Sequence, residues 1–407
     1  PVLKHKKLQR DSSTGARRED SFSAPSYTGR AMDWIRTGAE LGAFVRELSG
    51  VHALALDSES DSLHHYKEKV CLVQIATDRG HAVLVDPLAL QDLTALAPVF
   101  ADPAVKKVLH GADYDVTTLK RDFGFVFSGL FDSMIAARFL GLPQIGLQAV
   151  AKAELGVEIT KDSQKDDWSV RPLQAKQEAY ALADVQHLLE LHGRLEDKLR
   201  AAGRLSWVLE ESAAVAALPA ARRERDPDAW QAVKGARSLS RRGLALLREL
   251  HAWREARAEA LDVPVFKVLS SETLVALGEK APRTPAELGK VRGLPPWLRN
   301  DPREFLAAVA RGQAVPEPQL PVLPKPPARP VVSAAQKRRD SALKAWRAVE
   351  AKRHGIDVSV VLPQRLIDKL SEHPPEDVAA FASIEGFRLW RQEAFGPAIL
   401  EALRAVP

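Results

Sequence analysis

Val51-His52-Ala53-Leu54-Ala55-Leu56-Asp57-Ser58-Glu59 is an apolar run that ends in two acids one residue apart. Side chains on a strand alternate between its faces, so positions i and i+2 project to the same side. If Val51 to Asp57 is a strand, Asp57 and Glu59 converge at its end. That is a costly place to gather negative charge unless a cation neutralises it. Taken alone, the pattern also fits a strand entering an acidic loop through Asp57, Glu59 and Asp61.

Outward from this run, Leu41, Phe44, Val45 and Leu48 share one face of a short amphipathic helix. Further strand-like runs, Val70 to Thr77 and His81 to Asp86, follow at gaps short enough for an antiparallel meander. A helix near Asp92 to Phe100, a strand over Val105 to His110 and a helix over Asp113 to Phe123 come next, then helical periodicity to about Ala202. The pattern predicts an α/β domain with a mixed sheet. The chain has 407 residues, which favours two or three domains.

The sequence divides into a polar, basic and disordered tail over 1–30, the α/β domain over 31–203 and a connecting segment over 204–228. Two helical modules are expected over 229–313 and 335–407. Between them, 314–334 holds Pro316, Pro318, Pro321, Pro324, Pro326, Pro327 and Pro330, which favours an extended polyproline-like spacer. The two modules repeat at an offset of 93: Ala252-Trp253-Arg254 matches Ala345-Trp346-Arg347, Val268-Leu269 matches Val361-Leu362, Gly293 matches Gly386, and Trp297 matches Trp390. The recurring tryptophans fit core packing better than exposed stacking.

Charge is uneven along the chain. Residues 51–200 carry 16 Lys and Arg against 22 Asp and Glu, a balance of −6, and residues 201–350 carry 26 against 17, a balance of +9. An acidic segment holds cations and a basic one holds phosphates, which together suggest metal-assisted chemistry on a polyanion. No stretch approaches the roughly 20 apolar residues of a membrane span. A single cysteine, Cys71, excludes an internal disulfide and a cysteine-based zinc site. With no apolar signal core in the N-terminal stretch, the expected location is cytoplasmic.

Three more residues join the acid pair. Asp115 lies where a helix begins, with Asp113 better placed to cap it, so Asp115 is free to point elsewhere. Tyr180 and Asp184 are four apart in the helical segment Gln174 to Leu195, hence on one face. The order Asp-x-Glu on a strand, Asp on a following helix and Tyr-x-x-x-Asp on a late helix resembles the DEDD exonuclease superfamily. Cys71-Leu72-Val73-Gln74-Ile75-Ala76, Leu130-Phe131-Asp132 read as a helix start, and Asp167-Trp168-Ser169-Val170-Arg171-Pro172-Leu173 narrow the resemblance to the RNase D family. The repeated modules resemble the helicase-and-RNase-D C-terminal (HRDC) domain.

The resemblance implies an RNase H-like, DnaQ-type α/β catalytic domain followed by two all-α HRDC-like domains. It implies two-metal hydrolysis of phosphodiester bonds. Asp57, Glu59 and Asp184 would hold the ion that activates water, Asp57 would bridge to a second ion supported by Asp115, and Tyr180 would orient the water. Position 179, where the histidine variant of the superfamily has its imidazole, is Ala179. All-oxygen ligation favours Mg²⁺ or Mn²⁺. Gln74 and Arg171 are candidates for contact with the terminal nucleotide, and Trp168 either stacks on a base or packs beneath the site. Asp132 reads as a helix cap and His110 as structural. Arg222, Arg223, Arg225, Arg241, Arg242, Lys337, Arg338 and Arg339 are candidates for phosphate contact or solvated charge.

The implied activity is 3′→5′ exoribonuclease on the single-stranded 3′ ends of structured RNA, with tRNA precursors as the family's characteristic substrate. A DNA exonuclease in repair and a non-catalytic RNA-binding scaffold are the alternatives. Recognition of the 2′-hydroxyl separates the first two, and four convergent carboxylates argue against the third.

Overall fold

The computed structural model describes residues 33–160, 162–222, 226–324 and 332–406. The expected tail over 1–30, Arg223, Arg225, Pro326, Pro327 and Pro330 lie outside the described residues.

Six strands, β1 (Asp33–Ile35), β2 (Ala53–Ser60), β3 (Val70–Thr77), β4 (Ala82–Val85), β5 (Lys106–Leu109) and β6 (Leu130–Asp132), form one mixed sheet in the order β1-β4-β3-β2-β5-β6. The meander β2-β3-β4 is antiparallel, while β1, β5 and β6 join in parallel. Beside the sheet lie α1 (Gly38–Glu47), α2 (Asp113–Phe123), α3 (Ser133–Phe139), α4 (Ala175–Gln186), α5 (Leu188–Ala201) and α6 (Leu205–Ala216).

Alternation along the strands builds two cores. Leu54, Leu56, Val73, Ile75, Val83 and Val85 pack with Leu41 and Phe44 of α1 and Val116 and Leu119 of α2. Ala53, Ala55, Ala76 and Val108 pack on the other side with Val185 of α4 and Leu188, Leu191 and Leu195 of α5. The small alanines let those helices lie close to the sheet centre, which brings α4 over the end of β2.

Several expectations are corrected. Leu130–Asp132 is a strand paired with β5, not a helix start, and its last residue caps α3 by accepting from Met134 N and Ile135 N. Three residues are too few for any period to show. Asp113 does not cap α2: the cap is Ala112, and Asp132 accepts from Gly111 N and Ala112 N instead. The helical span Gln174 to Leu195 breaks at His187 into α4 and α5. The helix near Asp92 to Phe100 is a 3-10 turn (Thr94–Leu96) followed by a short α-helix (Ala97–Ala101). The three-residue β1 carried no signal of its own.

The first module contains α7 (Arg241–Leu261), α8 (Ser271–Lys280) and α9 (Arg303–Ala314), and the second α10 (Ala334–His354), α11 (Gln364–Glu372) and α12 (Leu389–Arg404). Trp253 and Trp390 are buried in their cores, with Trp297 and Trp346 half-buried beside them. The start of the proline segment is packed rather than extended free: Arg242 donates to Gln313 O and Val315 O, and Arg241 to Leu320 O. These arginines satisfy carbonyls left open at and beyond the end of α9. Arg339 likewise donates to Ser371 O.

The connecting segment is itself structural. Helix α6 packs on β6, and its Glu210 accepts from Leu389 N and Trp390 N, the first free donors of α12. Glu211 accepts from Trp390 Nε1, and Trp207 stacks on Trp390 at 4.6 Å. A helix N-terminus in one module is thus capped by a carboxylate from the catalytic half. No helix among the described residues is long and apolar enough to cross a membrane.

Candidate active site

Alternation on β2 aims Asp57 and Glu59 to the side covered by α4, and α4 brings Asp184 down to them one turn after Tyr180. One carboxylate oxygen from each of Asp57, Glu59 and Asp184 lies within 4.8 Å of the others. Asp115 approaches from the first turn of α2, buried, with Oδ1 accepting from Ser58 Oγ at 2.5 Å. Its charge acts on Asp57 and Glu59. The four acids and the tyrosine expected to meet therefore share one neighbourhood, with three acids as its tight core.

The electrostatics follow from crowding. Burial and the charges of Asp115, Asp184 and Glu59 push the Asp57 carboxyl well above the ordinary range. Burial and the charges of Asp184, Asp115 and Asp166 do the same to Glu59. Burial raises Asp115 to about 6, against the lowering effect of the Ser58 hydroxyl. Like charges gathered without a counter-ion favour the protonated forms, and a divalent cation reverses that preference. The donor set, all carboxylate oxygen, suits a hard cation.

Burial and the charges of Asp184, Glu59 and Asp57 also push the Tyr180 hydroxyl far up, and it is hydrogen-bonded to Asp184. Tyr180 therefore stays a neutral donor and acceptor, suited to orienting a water and unsuited to removing its proton. Trp168 packs on it with ring centroids 6.0 Å apart and is only 1% exposed. Of the two readings of Trp168, packing beneath the site is the one observed, because a ring so buried offers no face to a base.

Gln74 pairs with Asp57 across β2 and β3, so it lies on the same face of the sheet. It is fully buried and neither amide atom has a hydrogen-bond partner. Such an orphaned group is rare in a folded interior and marks a place where a partner belongs. Arg171 is committed elsewhere. Its Nε and Nη2 form a fork on Asp86 at 2.7 and 3.0 Å, Nη2 also donates to Cys71 O, and Nη1 donates to Trp168 O and Val170 O. It pins the loop that carries Trp168 to the sheet. Removing it leaves Asp86, whose side chain is 3% exposed, as a buried unpaired carboxylate. Arg171→Ala is expected to cost about 3 kcal/mol, measured by urea denaturation, and Arg171→Lys not to restore it because the fork is lost.

His110 bonds Ser133 Oγ at 2.9 Å, as a structural residue would. Ser58 escaped the sequence reading, although strict alternation in Asp57-Ser58-Glu59-Ser60 was the signal that could have found it. Ser60 continues the pattern by bonding the hydroxyl of Tyr114, the residue before Asp115. For the pairing of Asp86 with Arg171, 85 positions apart, no local signal existed.

A family sequence model described as 3′-5′ exonuclease matches residues 32–200, and one described as HRDC domain matches 243–309 and 336–403. The chain is 33% identical to ribonuclease D of Acidiphilium cryptum, covering 92% of this chain and 93% of that one. It is 31% identical to ribonuclease D of Pseudomonas paraeruginosa, covering 93% and 99%. Among solved structures, RNase D of Escherichia coli, described as an exoribonuclease involved in structured RNA processing, superposes with a TM-score of 0.67. That pair is 27% identical over 93% of this chain and 100% of the other.

Proposed function

The chain belongs to the ribonuclease D family of 3′→5′ exoribonucleases, and from that premise we propose that Asp57, Glu59, Asp115, Asp184 and Tyr180 remove nucleotides one at a time from RNA 3′ ends. The observation that carries the assignment of residues is the meeting of three carboxylates within 4.8 Å, beneath a tyrosine hydrogen-bonded to one of them. A gripping module has no need to concentrate negative charge where a polyanion must bind.

When bound, two divalent cations supply a water of lowered pKa and charge that steadies the departing 3′ oxygen. Asp57, Glu59 and Asp184 would hold one, and Asp57 with Asp115 the other, with Mg²⁺ or Mn²⁺ as the ions that suit oxygen ligands. Ser58 fixes Asp115 through its hydroxyl, so the acid from α2 keeps its place relative to β2. Tyr180, braced by Trp168, orients the attacking water. Gln74 is assigned to a polar group of the terminal nucleotide or to an ordered water that touches it, because its amide is otherwise unpartnered. Arg171 acts through the loop it pins. The substrates are single-stranded 3′ ends of structured RNA, tRNA precursors among them, in the cytoplasm. The boundaries near residues 31, 203, 229, 313 and 335 divide the chain into catalytic domain, connector and two modules.

With Mg²⁺ or Mn²⁺ the purified protein is expected to shorten 5′-labelled RNA from its 3′ end in single-nucleotide steps, to stop with chelator, and to act less on matched DNA. Tyr180→Phe is expected to lower kcat by roughly 10²-fold with little change in KM. Equal digestion of RNA and DNA would favour the repair reading. Full-length RNA at every time point would leave only the scaffold.

A further inference from the structure

Tyr114 stands beside the acids without belonging to them. It precedes Asp115 on α2, and its hydroxyl lies 2.8 Å from the Oγ of Ser60, the residue after Glu59. The same hydroxyl donates to Glu68 Oε2 at 3.2 Å and so accepts from Ser60. Glu68 is in turn paired with Arg121, whose side chain is 4% exposed. The Tyr114 carbonyl accepts from the hydroxyls of Thr117 and Thr118. Both ends of the residue are thus tied to fixed partners.

The residue as a whole is 42% exposed. Among the described phenylalanines, tyrosines and tryptophans the other exposed residue is Phe266, on the first helical module. Aromatic side chains are usually buried for their large apolar area, and one held rigidly in water beside a reaction centre has an unused face. Because its orientation is already fixed, little side-chain entropy is lost when something flat lies against it.

We propose that Tyr114 is a stacking platform for a base at the 3′ end of the bound strand. Every base presents a π-face, so the platform holds the strand whatever its sequence and leaves the scissile phosphate to the acids. The ligand class is a single-stranded nucleobase, and the inference rests on the exonuclease reading of the same site.

A purely structural role makes the opposite demand on the residue. If Tyr114 only links Ser60 to Glu68, the hydroxyl matters and the ring face does not. The test is a fluorescence titration of full-length protein, in chelator, with a short single-stranded RNA carrying 2-aminopurine at its 3′ end, alongside steady-state cleavage with Mg²⁺. Tyr114→Ala is expected to weaken binding about tenfold and to lose most of the quench on binding, the loss in cleavage falling on KM more than on kcat. Tyr114→Phe, which keeps the face and deletes the hydroxyl, is expected to restore binding and quench to within about twofold of wild type. Tyr114→Leu, which keeps bulk without a π-face, should behave like alanine and serves if the alanine variant folds poorly. Wild-type quench and affinity in the leucine variant would overturn the proposal, as would a phenylalanine variant as impaired as alanine. Were the wild-type protein itself inert on RNA with Mg²⁺, the exonuclease reading would fall first. An active wild type with an unaltered leucine variant would sink this inference alone.

Discussion

Asp57→Asn is expected to abolish RNA shortening, by roughly 10³-fold or more, and at the same time to raise the melting temperature of the metal-free protein. The activity loss follows from position, since Asp57 is one of the three acids whose oxygens meet within 4.8 Å and the one assigned to both cations. The stability gain follows from the same crowding. Burial and three neighbouring acids hold its carboxyl well above the ordinary range. A carboxyl raised in the folded state contributes stability that is present below the unfolded value and lost as pH rises through the folded one. Near neutral pH the acid cluster therefore opposes folding unless a cation is bound. Differential scanning calorimetry in chelator should show the variant above wild type at pH 7.5, with the gap closing as the pH falls toward 5. Adding Mg²⁺ should raise the wild type, with the logarithm of the ratio of its concentration to the dissociation constant, and leave the variant nearly unmoved. Loss of activity with a lowered melting temperature would mean that Asp57 supports the fold instead.

Gly141→Ala is expected to push the second helical module off the catalytic domain. Gly141 has φ +76°, and a Cβ placed on it would lie 1.9 Å from the carbonyl oxygen of Gly355, just beyond α10. Backbone meets backbone there, so no rotamer change relieves the clash. Overpacking of this kind costs about 1–3 kcal/mol and a left-handed alanine about 1–2 more. The contact belongs to a wider seam: Arg204 donates to both Phe139 O and His354 O, Trp207 stacks on Trp390, and Glu210 caps α12. One apolar core runs from Val108 and Phe131 through Phe139 to Trp390 and Leu403. The second module should thus melt with the catalytic domain in wild type and separately, at lower temperature, in the variant. Gly124→Ala is the control: φ is +68° with nothing within 4 Å, so about 1–2 kcal/mol of conformational cost is all it should show. A wild-type melting profile in Gly141→Ala would mean that the modules hang loosely together.

The two helical repeats are alike in sequence and unlike in attachment, and the difference marks where reading the sequence stopped. Two pairs of the candidate site were legible because alternation and the helical turn are local rules: Asp57 and Glu59 at i and i+2, Tyr180 and Asp184 at i and i+4. Their meeting was inferred from a resemblance, since nothing local brings residue 57 to residue 184. Antiparallel pairing of β3 with β2 and β4 followed from short gaps. The parallel additions β1 and β6 did not, being three residues each. The arginine contacts were hidden for a related reason. Arg171, Arg241 and Arg242 donate to a buried carboxylate or to carbonyls made neighbours only by the fold. Trp168 could be placed beneath the site only once α4 was seen lying over it.

The central claim is that Asp57, Glu59, Asp184 and Asp115 form one cage for divalent cations. Crystals grown without metal and soaked in Mn²⁺, with anomalous differences collected near the manganese edge, address it directly. One strong peak is expected, bounded by Asp57, Glu59 and Asp184, and a second between Asp57 and Asp115. Peaks confined to other acids, or none at a concentration that supports RNA shortening in solution, would contradict it.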